Sequence, residues 1–171
     1  ANEIDGFVAV GGGSSMDVAK AAALLQEQPA PVEQYFTDPP TFFNLKTPVI
    51  LVPTTAGTGS ENTPVAVISS GGVKPAVFVS TTCAIVDPEL TYTVPAGTTA
   101  NTGLDAFSHA AEALTSNNSN PRSDILAEAA IEKIAKYLPI AVADGQNREA
   151  RYELALAANI SGIAFADANC H

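Results

Sequence analysis

Phe7-Val8-Ala9-Val10-Gly11-Gly12-Gly13-Ser14-Ser15-Met16-Asp17-Val18-Ala19-Lys20 decides how this chain reads. Four apolar residues run directly into three glycines, and from Asp17 to Gln26 the composition turns rich in alanine and leucine. That is a strand, a tight turn and a helix, the opening unit of an α/β layer. Glycines let a ligand approach the backbone, and free amides at a helix N-terminus attract phosphate oxygens. Gly11, Gly12, Gly13 and Ser14 are therefore candidates for a phosphate cradle, at the start of a helix whose first turn also holds Ser15 and Asp17. The alternative is a plain turn in which Ser14 or Ser15 caps the helix. The spacing is not GxGxxG, so the common dinucleotide fingerprint is absent.

The pattern repeats outward from there. Pro48-Val49-Ile50-Leu51-Val52 is a second apolar run, and it too ends in a loop of small residues, Pro53 to Ser60. Thr54, Thr55 and Thr58 crowd that loop, and hydroxyls after a buried strand can line a polar ligand at the sheet's carboxyl edge. Thr, Gly and Ser also serve turn chemistry alone. Glu61 reads as a structural carboxylate. Val65 to Ser69, Ala76 to Ser80 and Ala84 to Asp87 are further extended candidates, the last closed by Pro88. Continuous apolar strands of this kind predict a parallel sheet covered on both faces.

Beyond Val94-Pro95 the sequence is almost wholly helix-compatible. Helices are predicted over residues 98–115, 123–137 and 147–167, with a polar loop at 117–122. The division is α/β over residues 1–95 and all-helical over 96–171. Asn2 to Gly6 reads as the tail of a helix feeding a strand, and Ala164 to His171 carries no Gly or Pro stop. Both ends read as cuts, so both parts are expected to be partial.

Bulk composition narrows the function classes. Hydrophobic residues make up 46% of 171, enough for a core. Eight basic against 18 acidic residues give a net charge of −10, which disfavours nucleic acid and anionic membrane surfaces. No run approaches the roughly 20 apolar residues that cross a bilayer. Two distant cysteines, Cys83 and Cys170, form no disulfide framework, so a reducing cytoplasmic setting is expected.

Asp105 and His109 are four residues apart in a predicted helix, which puts both side chains on one face. A carboxylate oxygen and an imidazole nitrogen so placed can bind Fe²⁺ or Zn²⁺, and the ion can polarise a substrate oxygen. The alternatives are a surface ion pair or a buried histidine bonded to an aspartate. Ala106, Phe107, Ala110 and Ala113 around the pair weigh against a solvated face.

Taken together, these segments resemble the iron-containing alcohol dehydrogenases. Gly11 to Lys20 is similar to that family's GGGSxxDxAK signature, and Pro53 to Glu61 to its PTTAGTGSE loop. Asp87 to Thr91, Thr102 to Ala106 and His109 to Glu112 resemble its DPxLT and TGxDAxxHAxE segments. Tyr137-Leu138-Pro139 and Gly162 to Phe165 also have counterparts. The resemblance implies a Rossmann-like dinucleotide-binding part, then a helical metal-binding part. It implies an NAD- or NADP-dependent oxidoreductase acting on a small alcohol or aldehyde, expected as a homo-oligomer. Gly13 and Ser14 would meet the cofactor pyrophosphate, with Gly12 and Asp17 beside them. Thr54, Thr55, Thr58 and Thr63 would line the cofactor, and Lys74 would match a cofactor-contacting lysine. Asp105 and His109 would be the first two metal ligands, with His171 a neighbour of the site and the remaining histidines beyond it. The family's opening βαβ region has no counterpart here. Two other readings remain: a sugar-phosphate lyase or synthase of the dehydroquinate synthase type, and a non-catalytic nucleotide-binding fragment.

Overall fold

The structure is a computed structural model and describes residues 4–37, 40–69 and 74–170. His171 and residues 1–3 lie outside them, so the expectation for His171 and most of that for the start of the chain are untouched. Ile4, Asp5 and Gly6 have no helical conformation.

The α/β part is built around one strand–helix–strand unit. β1 (Phe7–Gly11) and β3 (Val49–Pro53) pair in parallel, Phe7 opposite Val49 and Gly11 opposite Pro53. β6 (Cys83–Ala84) extends the sheet in parallel on the far side of β3. A second sheet joins β2 (Phe42–Phe43), β5 (Ala76–Val79) and β4 (Val65–Val67) in the order β2-β5-β4. There β2 and β5 are parallel, whereas β4 and β5 are antiparallel. The parallel expectation therefore holds for the central strands and not for β4, whose connection to β5 is too short for a crossover.

Between the sheets runs α1 (Gly13–Glu27). Met16 and Ala23 pack on Ala9, Val49 and Leu51, while Leu24 packs on Ala66, Val77 and Val79. One face of β1 stays uncovered among the described residues, with Val8 67% and Val10 60% exposed. Among the described residues, then, β1 is covered on its α1 face alone. Ala9 points toward α1, and strict alternation sends its neighbours outward.

α2 (Ala96–Thr115), α3 (Pro121–Ala143) and α4 (Arg148–Asp167) form the helical part. Asn120 starts α3 with a reciprocal cap involving Ser123, and Pro121 takes the first-turn place where a missing N–H costs nothing. The three helices meet through alanines, including Ala106, Ala110, Ala127, Ala130, Ala157 and Ala158. Such small side chains let the axes approach closely. Buried Arg151 of α4 donates to Gly145 O, Thr99 Oγ1 and Val94 O, which anchors the first turn of α2.

Two glycines lock the helical part onto the α/β part. Gly59 has φ +61°, and a Cβ added there would lie 2.6 Å from Gly162 Cα. Beside this seam Asn62 Nδ2 donates to Asn159 O, and Asn159 Nδ2 donates to Glu61.

Candidate functional site

The seam encloses a cavity of about 540 Å³ where the two parts meet. Gly13, Ser14 and Asp17 line it from α1, and Thr58, Ser60 and Thr63 from the threonine loop. β4, β5 and Lys74 supply a third side, while Asp105, His109 and Phe165 come from α2 and α4. Segments separated by about 90 positions in sequence thus face one space.

At one end is the N-terminus of α1. Its N-cap is Gly12, with no side-chain cap, so Ser14 and Ser15 do not serve as caps. The Ser15 and Met16 amides turn back to Gly12 O. The Gly13 and Ser14 amides precede any intrahelical acceptor and are left to a ligand or water. A Cβ at Gly13 would lie 2.7 Å from Thr58 Cγ2 and 2.9 Å from Thr58 Oγ1. Glycine is needed here because the threonine loop closes directly over the turn. Gly13→Val is therefore expected to displace Thr58 and to raise the dinucleotide Kd at least about tenfold, ~1.4 kcal/mol. Isothermal titration of the complete gene product with NAD and NADP measures this, and unchanged affinity for both removes the cradle.

Of the other residues expected near a cofactor, Thr58, Thr63, Asp17 and Lys74 reach the wall, and Gly12, Thr54 and Thr55 do not. Thr54 uses its amide to hold Gly11 O at 2.9 Å, and Thr55 stands against Gly12. Asp17 has a protein donor for each oxygen: Ser60 Oγ at 2.7 Å on Oδ1 and the Val67 amide at 3.2 Å on Oδ2.

Beneath this wall lies a group to which sequence reasoning attached no role. Lys20 is fully buried, and its ammonium donates to Ser60 O, Ser60 Oγ, Thr63 O and Val65 O at 2.6–3.0 Å. In sequence it closes the Gly11–Lys20 signature, one turn after Asp17 in an otherwise uncharged run of alanine and leucine. Burial pushes it down to about 8, against the opposing pull of the Asp17 and Glu61 charges. Glu61, itself buried, is pushed above the ordinary carboxylate range by burial, which the Asn159 hydrogen bond and Lys20 oppose.

For Lys20 the linkage is definite. Between about pH 8 and the unfolded value of 10.5, the unfolded chain holds a proton that the native state gives up. Stability from this group therefore rises with pH across that window, by up to about 3 kcal/mol. Denaturant unfolding at pH 7.5 and 10 tests this, as the difference between wild type and Lys20→Met. A wild-type curve that gains nothing over the variant contradicts it.

On the α2 side of the cavity, His109 Nε2 lies 4.0 Å from Asp105 Oδ1, beyond hydrogen-bond reach. His109 Nδ1 is buried without a hydrogen-bond partner. The imidazole leans on Phe165, ring centroids 4.7 Å apart, and no sequence rule pointed to that contact. A carboxylate and an imidazole on one helix face, unpaired with each other and open to a cavity, fit a divalent metal in kind. They are two donors. Among the described residues no third His, Cys, Asp or Glu joins them.

Known proteins match the chain in sequence and in fold. The family model described as iron-containing alcohol dehydrogenase matches residues 1–88, and the model for that family's C-terminal part matches residues 99–171. The chain belongs to the iron-containing alcohol dehydrogenase family. It is 43% identical to long-chain-alcohol dehydrogenase 1 of Geobacillus thermodenitrificans, over 97% of this chain and 43% of that protein. A sulfoacetaldehyde reductase from Bifidobacterium kashiwanohense, solved in complex with NAD⁺, superposes with a TM-score of 0.85 at 42% identity, covering 94% of this chain and 44% of that one. An iron-containing alcohol dehydrogenase from Thermotoga maritima superposes at 0.88 and 38% identity, covering 97% and 46%. The chain thus spans less than half the length of these relatives. Among the described residues, no helix is long and apolar enough to cross a membrane.

Proposed function

We propose that this chain forms part of an oxidoreductase that moves a hydride between NAD or NADP and a small alcohol or aldehyde. One observation carries the reading: the uncapped N-terminus of α1 and the Asp105–His109 pair open into the same cavity. The Gly13 and Ser14 amides would hold the cofactor pyrophosphate, with Gly12 keeping the approach free of a side chain. Thr58, Thr63 and Lys74 would line the cofactor, while Thr54, Thr55 and Asp17 would act by shaping the loop. Asp105 Oδ1 and His109 Nε2 would hold Fe²⁺ or Zn²⁺, with further ligands from outside the described residues. When bound, the ion polarises a substrate oxygen and the nicotinamide carries the hydride. The protein's own part is to hold the two ends of the cavity in register and to narrow the space between them.

The division at residue 95, a homo-oligomeric assembly and a cytoplasmic location belong to the same proposal. The start of α2 at Ala96 supports the division, and two free cysteines support the location. The complete gene product, loaded with Fe²⁺ or Zn²⁺, is expected to reduce short aldehydes, followed by loss of reduced-nicotinamide absorbance. If no aldehyde or alcohol turns over while a sugar phosphate loses its phosphate, the reading passes to the dehydroquinate synthase type.

A further inference from the structure

A lysine in the helix that follows a glycine-rich turn invites assignment as a phosphate contact, as beside other loops of that composition. Lys20 is built for something else. An ammonium has three N–H donors and no acceptor. Four oxygens already stand within 3.0 Å of Lys20 Nζ, all from residues 60–65, and Asp17 Oδ1 is 3.6 Å away. No donor is left for a ligand, and no surface of the residue is exposed.

We propose that Lys20 is a positioning residue, which cages segment 60–65 into the wall a dinucleotide meets and touches no ligand itself. Three backbone carbonyls of that segment turn inward onto the ammonium, while Ser60, Thr63 and Val65 line the cavity on its other side. Asp17 completes the cage by holding Ser60 Oγ and the Val67 amide. Without the ammonium, buried carbonyls lose their donor, and the segment must shift to find water. Glu61 lies within the caged segment, so its contact with Asn159 of α4 depends on the same cage.

The kinetic consequence rests on the cofactor reading above, while the structural one does not. The experiment is hydrogen exchange by mass spectrometry on the ligand-free complete gene product, wild type against Lys20→Met, followed by steady-state kinetics. Amides of residues 60–67 are expected to exchange at least about tenfold faster in the variant, those of α3 remaining as in wild type. The cofactor KM is expected to rise at least about tenfold, with kcat at saturating cofactor within about threefold. A folded variant with wild-type protection over 60–67 overturns the cage, whatever happens to affinity. Faster exchange with unchanged cofactor KM overturns the positioning role. Should Lys20→Met not fold, Ser60→Ala, which removes one acceptor and the link to Asp17, is read by the same two measures with smaller effects in the same direction. If the wild type binds no dinucleotide at all, the functional reading fails while the exchange result still decides the cage.

Discussion

Metal content and turnover are expected to fall together in Asp105→Ala and His109→Ala of the complete gene product, with dinucleotide affinity within about threefold of wild type. The pair lies on one face of α2, on a different element from the amides at the α1 N-terminus, though both face the same cavity. Removing either donor takes away one of the two ligands that the described residues supply and opens the ion's shell to water, which weakens its hold on the metal. Lewis-acid assistance is worth several kcal/mol, so the loss of rate should be about 10³-fold or more. For the same reason residues 1–171 alone are expected to bind divalent metal weakly, since the described part offers two donors. Mass spectrometry of metal after gel filtration, on both variants and on the isolated 171-residue chain, reads all three. Full metal and full activity in His109→Ala would remove the site. Stoichiometric metal in the isolated chain would show that the ligand set is wrong.

The second large effect lies at the seam. Gly162→Ala puts a Cβ 2.7 Å from Gly59 O and 2.8 Å from Gly59 Cα, both backbone atoms that cannot swing aside. Gly59→Ala adds the cost of a left-handed residue at φ +61° to the clash with Gly162 Cα. Each substitution should cost about 3 kcal/mol, a fall in Tm of roughly 6–12 °C for a chain of this size. The two residues share one contact, so the double variant should lose less than the sum of the singles. Calorimetric Tm values within about 2 °C of wild type for both singles would mean that α4 does not pack on the threonine loop as described.

The fold class was legible because hydrophobic period and glycine punctuation are local signals. β1 and α1 lie where the apolar run and the Gly11–Gly13 turn put them, and α2, α3 and α4 begin within two residues of expectation. Strand pairing was less legible. β2 is two residues long and was not anticipated, and nothing in the apolar pattern marked β4 and β5 as an antiparallel pair. Periodicity does not encode which neighbour a strand finds.

The candidate site divides along the same line. Spacing alone put Asp105 and His109 on one helix face, whereas composition left Gly13, Ser14 and the threonine loop open between turn chemistry and ligand binding, and the family resemblance gave them a cofactor-facing role. Tertiary structure brought these groups into one cavity, set the Phe165 ring against His109, and separated Thr58, Thr63 and Lys74, which line the cavity, from Thr54 and Thr55, which do not. It also turned Lys20 from a charge in a motif into a buried hub for four oxygens. A residue's chemistry and helical phase are properties of its own neighbourhood in sequence and are determined there. Which oxygens surround a buried ammonium, and which side chains meet across a cavity, depend on contacts between residues 40 to 100 positions apart, which only packing decides.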